Sequence, residues 1–278
     1  MPNRKIIADS SANLLQLSGV DFAVAPLKIL AGDQEFVDDA SLDTNAMVQW
    51  FDSYKGRSKT SCPNTADWLH AFGDAQEVFC VTITSGLSGS YNAACAAKEL
   101  YETEHPGRRV CVIDSLSAGP ELELILEKLA DFVAQDMPYE EICLQIGQYQ
   151  KQTGLLFMLK SLKNFAANGR VSPAVAKIAG VLGIHIVGKA SDHGTLEPLS
   201  KNRGEGKALS AILEFLEKGG FSGGKVRISH CLNTEAAQKL KQLICDMFPC
   251  ADVRIRSCLG LCSYYAEKGG LLLGYERL

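Results

Sequence analysis

The sequence predicts an α/β fold in two domains, residues 1–154 and 155–278, the first built on a parallel sheet. Three observations predict it. Short β-branched runs alternate with amphipathic stretches through the first half, the pattern of parallel strands covered by helices. Two helical segments, each opened by a proline, then follow. Beyond Gly154 the pattern changes to a hairpin and a second alternation of strands and helices. At 278 residues, 46% hydrophobic and 22% charged, the chain is long enough for two small domains with a sizeable core.

In chain order, residues 5–8, 22–29, 78–83 and 110–113 read as strands. Residues 44–54, 65–72 and 90–100 carry apolar side chains at helical spacing, with Asp43 and either Asn64 or Thr65 placed as N-caps. Pro120 and Pro138 open helices over 120–135 and 138–152, because the first helical turn does not use the N–H that proline lacks. Residues 155–158 begin the second set of strands, and 171–182 reads as a helix after the turn Asn168-Gly169. Residues 184–187 and 195–199 flank the turn Asp192-His193-Gly194 as a hairpin. The remainder alternates: helix 204–218, strand 226–229, helix 234–248, strand 253–255, helix 259–267 and strand 271–275.

Composition excludes several classes of function. A net charge of −4 gives no basic footprint for a phosphate backbone, so no nucleic acid partner is expected. Met1-Pro2-Asn3-Arg4-Lys5 runs directly into Ile6-Ile7-Ala8-Asp9 without the apolar stretch of a signal peptide, which predicts a cytoplasmic location. The apolar stretch 175–187 is interrupted by Lys177 and His185 and is too short to span a bilayer, so no stable membrane insertion is expected. Most of the ten cysteines sit in apolar segments, as buried thiols of a reducing compartment do. The late group Cys245, Cys250, Cys258 and Cys262 contains no Cys-x-x-Cys pair, so neither metal nor cofactor is predicted.

The most informative segment runs Thr82-Ile83-Thr84-Ser85-Gly86-Leu87-Ser88-Gly89-Ser90-Tyr91, a strand followed by a Ser/Gly turn that opens a helix. Open α/β sheets bind ligands beyond the carboxyl ends of their strands, and a helix N-terminus there attracts an anion. Ser85, Gly86, Ser88 and Gly89 are therefore candidate anion ligands, although the same residues also suit a plain turn and cap. Thr60 and Ser61 precede Cys62-Pro63-Asn64 and another helix, and their hydroxyls point to the same chemistry or to a second cap. Arg170 and Arg203, both in expected loops, offer guanidinium groups to a carboxylate or a phosphorylated partner.

Taken in order, these segments resemble the DegV family. Ile6-Ile7-Ala8-Asp9-Ser10-Ser11-Ala12-Asn13-Leu14 is similar to the family's strand followed by Asp-Ser-Thr-Ala-Asp-Leu. Thr60-Ser61-Cys62-Pro63 resembles Thr-Ser-Gln-Pro, residues 85–91 resemble Ser-Ser-x-Leu-Ser-Gly-Thr-Tyr, and Val112-Ile113-Asp114-Ser115 resembles its strand-Asp-Ser. Residues 162–172 and Lys201-Asn202-Arg203 continue the likeness more loosely. The resemblance implies a fatty acid such as palmitate, stearate or oleate buried between two domains, its carboxylate held by hydroxyls that map to Thr60 and Ser88. It further implies a carrier rather than an enzyme, serving a separate kinase subunit of the dihydroxyacetone-kinase-like type. No Gly-x-x-x-x-Gly-Lys-Ser/Thr is present, in keeping with that role.

Two departures stand out. The family's closing His-Thr-Gly-x-Gly, whose histidine approaches the carboxylate, is replaced by Tyr265-Ala266-Glu267-Lys268-Gly269-Gly270, and its Lys-Pro by Gly183-Ile184-His185-Ile186. Two other readings remain open at this point. Ser88, Asp114 and His230 follow the Ser…Asp…His order of α/β-hydrolases, which would make the protein an esterase, but position 90 is serine where the nucleophile elbow needs glycine. The lost histidine also suits a sensor of a different small anion.

Overall fold

The computed structural model describes residues 2–172, 175 and 183–277. The chain opens with β1 (Arg4–Asp9), β2 (Asp21–Ala25), β3 (Lys28–Ala31) and β4 (Gln34–Val37), followed by α1 (Thr44–Ser53), β5 (Ser58–Ser61) and α2 (Thr65–Phe72). Next come β6 (Glu77–Thr82), α3 (Ser90–Glu104), β7 (Arg109–Asp114), α4 (Pro120–Ala134) and α5 (Tyr139–Tyr149). Asp43 caps α1 through Ala46 N–H, and Asn64 rather than Thr65 caps α2, in a reciprocal box with Asp67.

A four-stranded parallel sheet has the order β2-β1-β6-β7. Every residue of β6 is buried because both faces are covered. Successive side chains alternate between the faces. Ile6, Phe79 and Val81 pack under α4 and α5, whereas Ile7, Val78 and Cys80 pack against Trp68 and Phe72 of α2 and Ala94 and Ala97 of α3. The chain leaves β1 toward β2 on one side and returns to β6 on the other. The carboxyl ends of β1 and β6 therefore flank the switch point of the sheet, where open α/β folds hold their ligands.

The continuous strand expected over 22–29 is broken into β2 and β3, which belong to different sheets. Pro26 lies at the break, and proline has no N–H to continue a ladder. Leu27 N–H instead donates to the Ser10 hydroxyl at 3.0 Å. Beyond the break, β3 pairs antiparallel with β4 and β5 in a small sheet of order β4-β3-β5, which sets Thr60 opposite Ile29.

The second half supplies β8 (Thr153–Leu159), α6 (Lys163–Ala167), β9 (Ile184–Ala190), β10 (Leu196–Arg203), α7 (Glu205–Lys218), β11 (Gly224–His230), α8 (Thr234–Met247), β12 (Ala251–Ser257), α9 (Gly260–Ala266) and β13 (Leu271–Glu276). The helix expected over 171–182 lies for the most part outside the described residues. These strands form a six-stranded sheet, β10-β9-β8-β13-β11-β12, antiparallel except for the β11-β12 pair. One face is covered by α7 and α8 around Ile212, Leu216, Leu240 and Ile244.

Helix α4 lies between the two larger sheets, touching β1 and β6 of the first and β8, β11 and β13 of the second. Its residues 120–126 are all buried, as a helix enclosed on every side requires. Arg227, fully buried in β11, donates to both carboxylate oxygens of Glu127 on α4 at 2.7 Å each. This bidentate pair fixes the distance between the helix and the second sheet.

Candidate functional site

At the carboxyl end of β1, Asp9 has no solvent exposure and accepts four hydrogen bonds. One oxygen takes the N–H and hydroxyl of Ser11, and the other takes Ile83 N–H at 2.8 Å and the Ser90 hydroxyl at 2.6 Å. A single carboxylate thus joins the end of β1, the residue after β6 and the first residue of α3. Burial pushes the Asp9 carboxyl above its ordinary pKa, against the pull of these donors.

Asp38 performs the matching service for α9, accepting Gly260 N–H at 2.6 Å and Leu261 N–H at 2.9 Å. Burial raises its pKa to about 6, opposed by the Leu261, Ser10 and Gly260 donors. Two buried acids therefore hold, from beneath, the backbone segments that shape the switch point.

The loop from Thr84 to Gly89 folds back on itself. Thr84 Oγ1 accepts Gly86 N–H, Thr84 C=O accepts Leu87 and Ser88 N–H, and Asp114 Oδ1 accepts Ser85 N–H at 3.0 Å. Ser88 Oγ accepts Ser90 N–H at 3.2 Å, which leaves the Ser88 hydroxyl hydrogen available for a ligand. The β9-β10 turn closes over this loop. A Cβ at Gly194 would stand 1.9 Å from Thr84 Oγ1, and Gly194 also has φ +69°, so only glycine allows this approach between the two halves of the chain.

On the neighbouring β5, Thr60 Oγ1 and the Tyr265 hydroxyl are 2.8 Å apart, and Thr60 N–H donates to Asn168 Oδ1 at 3.3 Å. Tyr265 packs against Phe165 with the rings tilted and 4.6 Å between centroids. Burial raises the Tyr265 pKa, while Thr60 and the Arg170 guanidinium pull it down. Tyr265 opens the stretch that replaces the histidine motif, and its hydroxyl places a neutral hydrogen-bonding group there.

These groups surround a cavity of about 290 Å³. Its walls are mainly apolar: Leu27, Ile83 and Leu261 from one cluster, and Leu155, Phe157, Leu159 and Leu272 from the inner strands of the six-stranded sheet. Thr60, Ser61, Ser88, Gly89 and Arg170 all border it. Ser85 and Gly86 belong to the supporting loop and are exposed, outside the lining. Arg203 is not in a loop. It ends β10 and is outside the cavity lining.

An apolar enclosure with a few convergent hydroxyls suits an amphiphile with one polar or anionic end. The sequence by itself assigns no role to Tyr265, Asp38 or Asp9. The Asp-Ser pair at the end of the first strand was the available signal for Asp9. Asp38, 29 residues further along, joins the site through Ser10 and α9, partners distant in sequence, so no local pattern marks it. Of the hydrolase candidates, Asp114 accepts backbone N–H groups, and His230 Nδ1 accepts Asn233 N–H. Among the described residues no histidine borders the cavity, so the Ser…Asp…His order of the sequence does not come together at Ser88.

Among the described residues, no three His, Cys, Asp or Glu side chains gather as a metal site, and no helix is long and apolar enough to cross a membrane. All ten cysteines are free thiols, with Cys62 and Cys262 in the cavity wall.

The family model described as "Uncharacterised protein, DegV family" matches residues 3–276. A DegV domain-containing protein of Streptococcus pneumoniae is 45% identical over 276 residues, covering 98% of each chain. Among solved structures, a DegV family protein from Eubacterium eligens loaded with heptadecanoic acid aligns with TM-score 0.97 at 45% identity, covering 99% of this chain and 100% of that one. The Streptococcus pneumoniae Fatty Acid Kinase (Fak) B3 protein loaded with linoleic acid aligns with TM-score 0.97 at 44% identity, covering 99% of each chain. With the fold, the motif order and nearly the whole length in agreement, the chain belongs to the DegV family.

Proposed function

We propose that the protein binds a long-chain fatty acid such as palmitate, stearate or oleate and presents its carboxylate to a separate kinase subunit for phosphorylation. The observation that carries this reading is the apolar cavity with Thr60 and Ser88 in its lining, in a chain 44–45% identical to relatives that hold fatty acids. The acyl chain lies along Phe157, Leu159 and Leu272, and the carboxylate accepts the Ser88 and Thr60 hydroxyls. Burying roughly fourteen methylenes at ~0.8 kcal/mol each contributes on the order of 11 kcal/mol before association costs.

In this reading the protein is a carrier, and the chemistry belongs to its partner. Arg170, at the cavity border with no carboxylate at ion-pair distance among the described residues, assists the head group and the acyl phosphate. Arg203, outside the cavity lining, contributes to docking of the kinase.

Denaturing extraction and mass spectrometry of the purified protein test the first half. A stoichiometric long-chain fatty acid is expected. A lipid-free preparation that takes up neither palmitate nor oleate in calorimetry rules the reading out. ATP-dependent formation of acyl phosphate with a fatty-acid kinase subunit, and none without it, tests the second half.

A further inference from the structure

Thr60 Oγ1 and the Tyr265 hydroxyl, 2.8 Å apart in the cavity wall, hold two hydrogens between them. Their mutual bond uses one. The other has no acceptor among the described residues, since the one further hydrogen bond of Thr60 runs from its backbone N–H to Asn168 Oδ1. Which hydrogen is left over decides which side chain meets a ligand. A phenol is a stronger acid than an aliphatic alcohol, and so the better donor of the two. The Arg170 guanidinium can only donate, and its bond to the Tyr265 oxygen leaves the hydrogen of that oxygen for Thr60. The spare hydrogen is therefore the one on Thr60.

Both partners are fixed by elements far apart in sequence. Thr60 lies in the β3-β5 ladder opposite Ile29, whereas Tyr265 belongs to α9, whose first turn Asp38 holds. The Tyr265 ring is wedged between Phe165 and Tyr264, with centroids 4.6 and 5.0 Å away. Asn168 ties the two sides together, accepting Thr60 N–H through Oδ1 and donating through Nδ2 to the Tyr264 hydroxyl at 3.0 Å. A hydroxyl held in this way is not reoriented when a ligand arrives, which removes part of the cost of binding.

We propose that Tyr265 is a positioning residue for the head group: it donates to Thr60 Oγ1 and thereby turns the Thr60 hydroxyl hydrogen into the cavity, where a carboxylate accepts it. The assignment rests on the fatty-acid reading. It adds a relay from Arg170 through Tyr265 and Thr60 to the carboxylate, in which the tyrosine itself does not touch the ligand. Each donor in such a chain is strengthened by the bond it accepts. Burial raises the Tyr265 pKa and keeps its hydroxyl neutral, so the relay is not titrated away near neutral pH.

The test is a carbon NMR titration of the intact protein loaded with carboxyl-labelled palmitate, which reads the pKa of the bound carboxyl directly, with palmitate content measured by mass spectrometry. Tyr265→Phe should raise that pKa by about 0.5–1 pH unit and weaken palmitate binding roughly two- to tenfold, because the charged form loses an oriented donor. Thr60→Val should raise it at least as much, and in the Thr60→Val protein Tyr265→Phe should add nothing. Thr60→Ser, which keeps the hydroxyl, should make Tyr265→Phe effective again. A Tyr265→Phe shift that persists in full beside Thr60→Val overturns the proposal, for the phenol then meets the carboxylate itself. So does loaded protein whose carboxyl pKa ignores Tyr265→Phe. Protein that takes up no palmitate overturns the fatty-acid reading and this assignment together, and the measured content tells the cases apart.

Discussion

The two flanks of the apolar cavity are built by different parts of the fold and by different physics. The flank at the four-stranded sheet is made of loops beyond strand ends, and hydrogen bonds to buried Asp9 and Asp38 hold it. The flank at the six-stranded sheet is a strand face, where Phe157, Leu159 and Leu272 hold position by packing alone. The difference teaches that direction and capacity are separate properties here: hydroxyls on the loop flank orient a polar end, and the strand face accommodates an apolar body. Substitutions on the two flanks should therefore fail in different ways.

The largest expected effect lies on the packed flank. Phe157 is 3% exposed, and Phe157→Ala should cost about 3–5 kcal/mol of stability in urea titration, because the surrounding strands close the void only in part. A loss below about 1 kcal/mol would show that this wall is plastic.

On the loop flank, Asp38 should make stability depend on pH. Its carboxyl rises from 3.8 unfolded to about 6 folded, so the folded chain holds the proton more tightly between those values. Its contribution is full below about pH 4 and is lost as pH rises through about 6, on the order of 3 kcal/mol in all. The stability advantage of the wild type over Asp38→Asn, followed by urea unfolding from pH 4 to 7, should fall across that window. A difference that stays flat would remove Asp38 from the account.

Ser88→Ala should weaken fatty-acid binding roughly ten- to a hundredfold with the fold intact, since a hydrogen bond to a charged group contributes about 1.5–3 kcal/mol. Thr60→Val should act in the same direction, and the four proteins of the cycle, titrated together, should show non-additive loss if both hydroxyls meet one carboxylate. Tyr265→Phe removes a neutral hydrogen bond to Thr60 and should cost about 0.5–1.5 kcal/mol of binding. Smallest of all, Arg203→Ala should leave fatty-acid affinity within about twofold, because the side chain is outside the cavity lining. A large loss there would place the ligand elsewhere.

Much of this was legible in the residues themselves. The alternation of β-branched and amphipathic segments marked the parallel strands β1, β6 and β7 and the helices between them, because burial on both faces leaves a continuous apolar run. Asp43, Asn64, Pro120 and Pro138 marked helix starts through local backbone chemistry that needs no distant partner. The Ser/Gly turn after β6 announced a polar site for the same reason. The break at Pro26 was also written in the chain, but its consequence, two strands in two different sheets, was not.

What only the tertiary structure decided are the relations between segments far apart in sequence. Short β5 has too few apolar residues to announce itself, and it forms because β3 offers a ladder. Thr60 meets Tyr265 across 205 positions, and Asp38 reaches Gly260 across 222, through hydrogen bonds whose partners no local period encodes. Arg203 reads as a loop residue until the register of β9 and β10 carries the ladder through to it. Local propensity and patterning determine which elements exist. Which polar groups share a cavity depends on how those elements pack, and that is settled by burial and hydrogen-bond satisfaction over the whole chain.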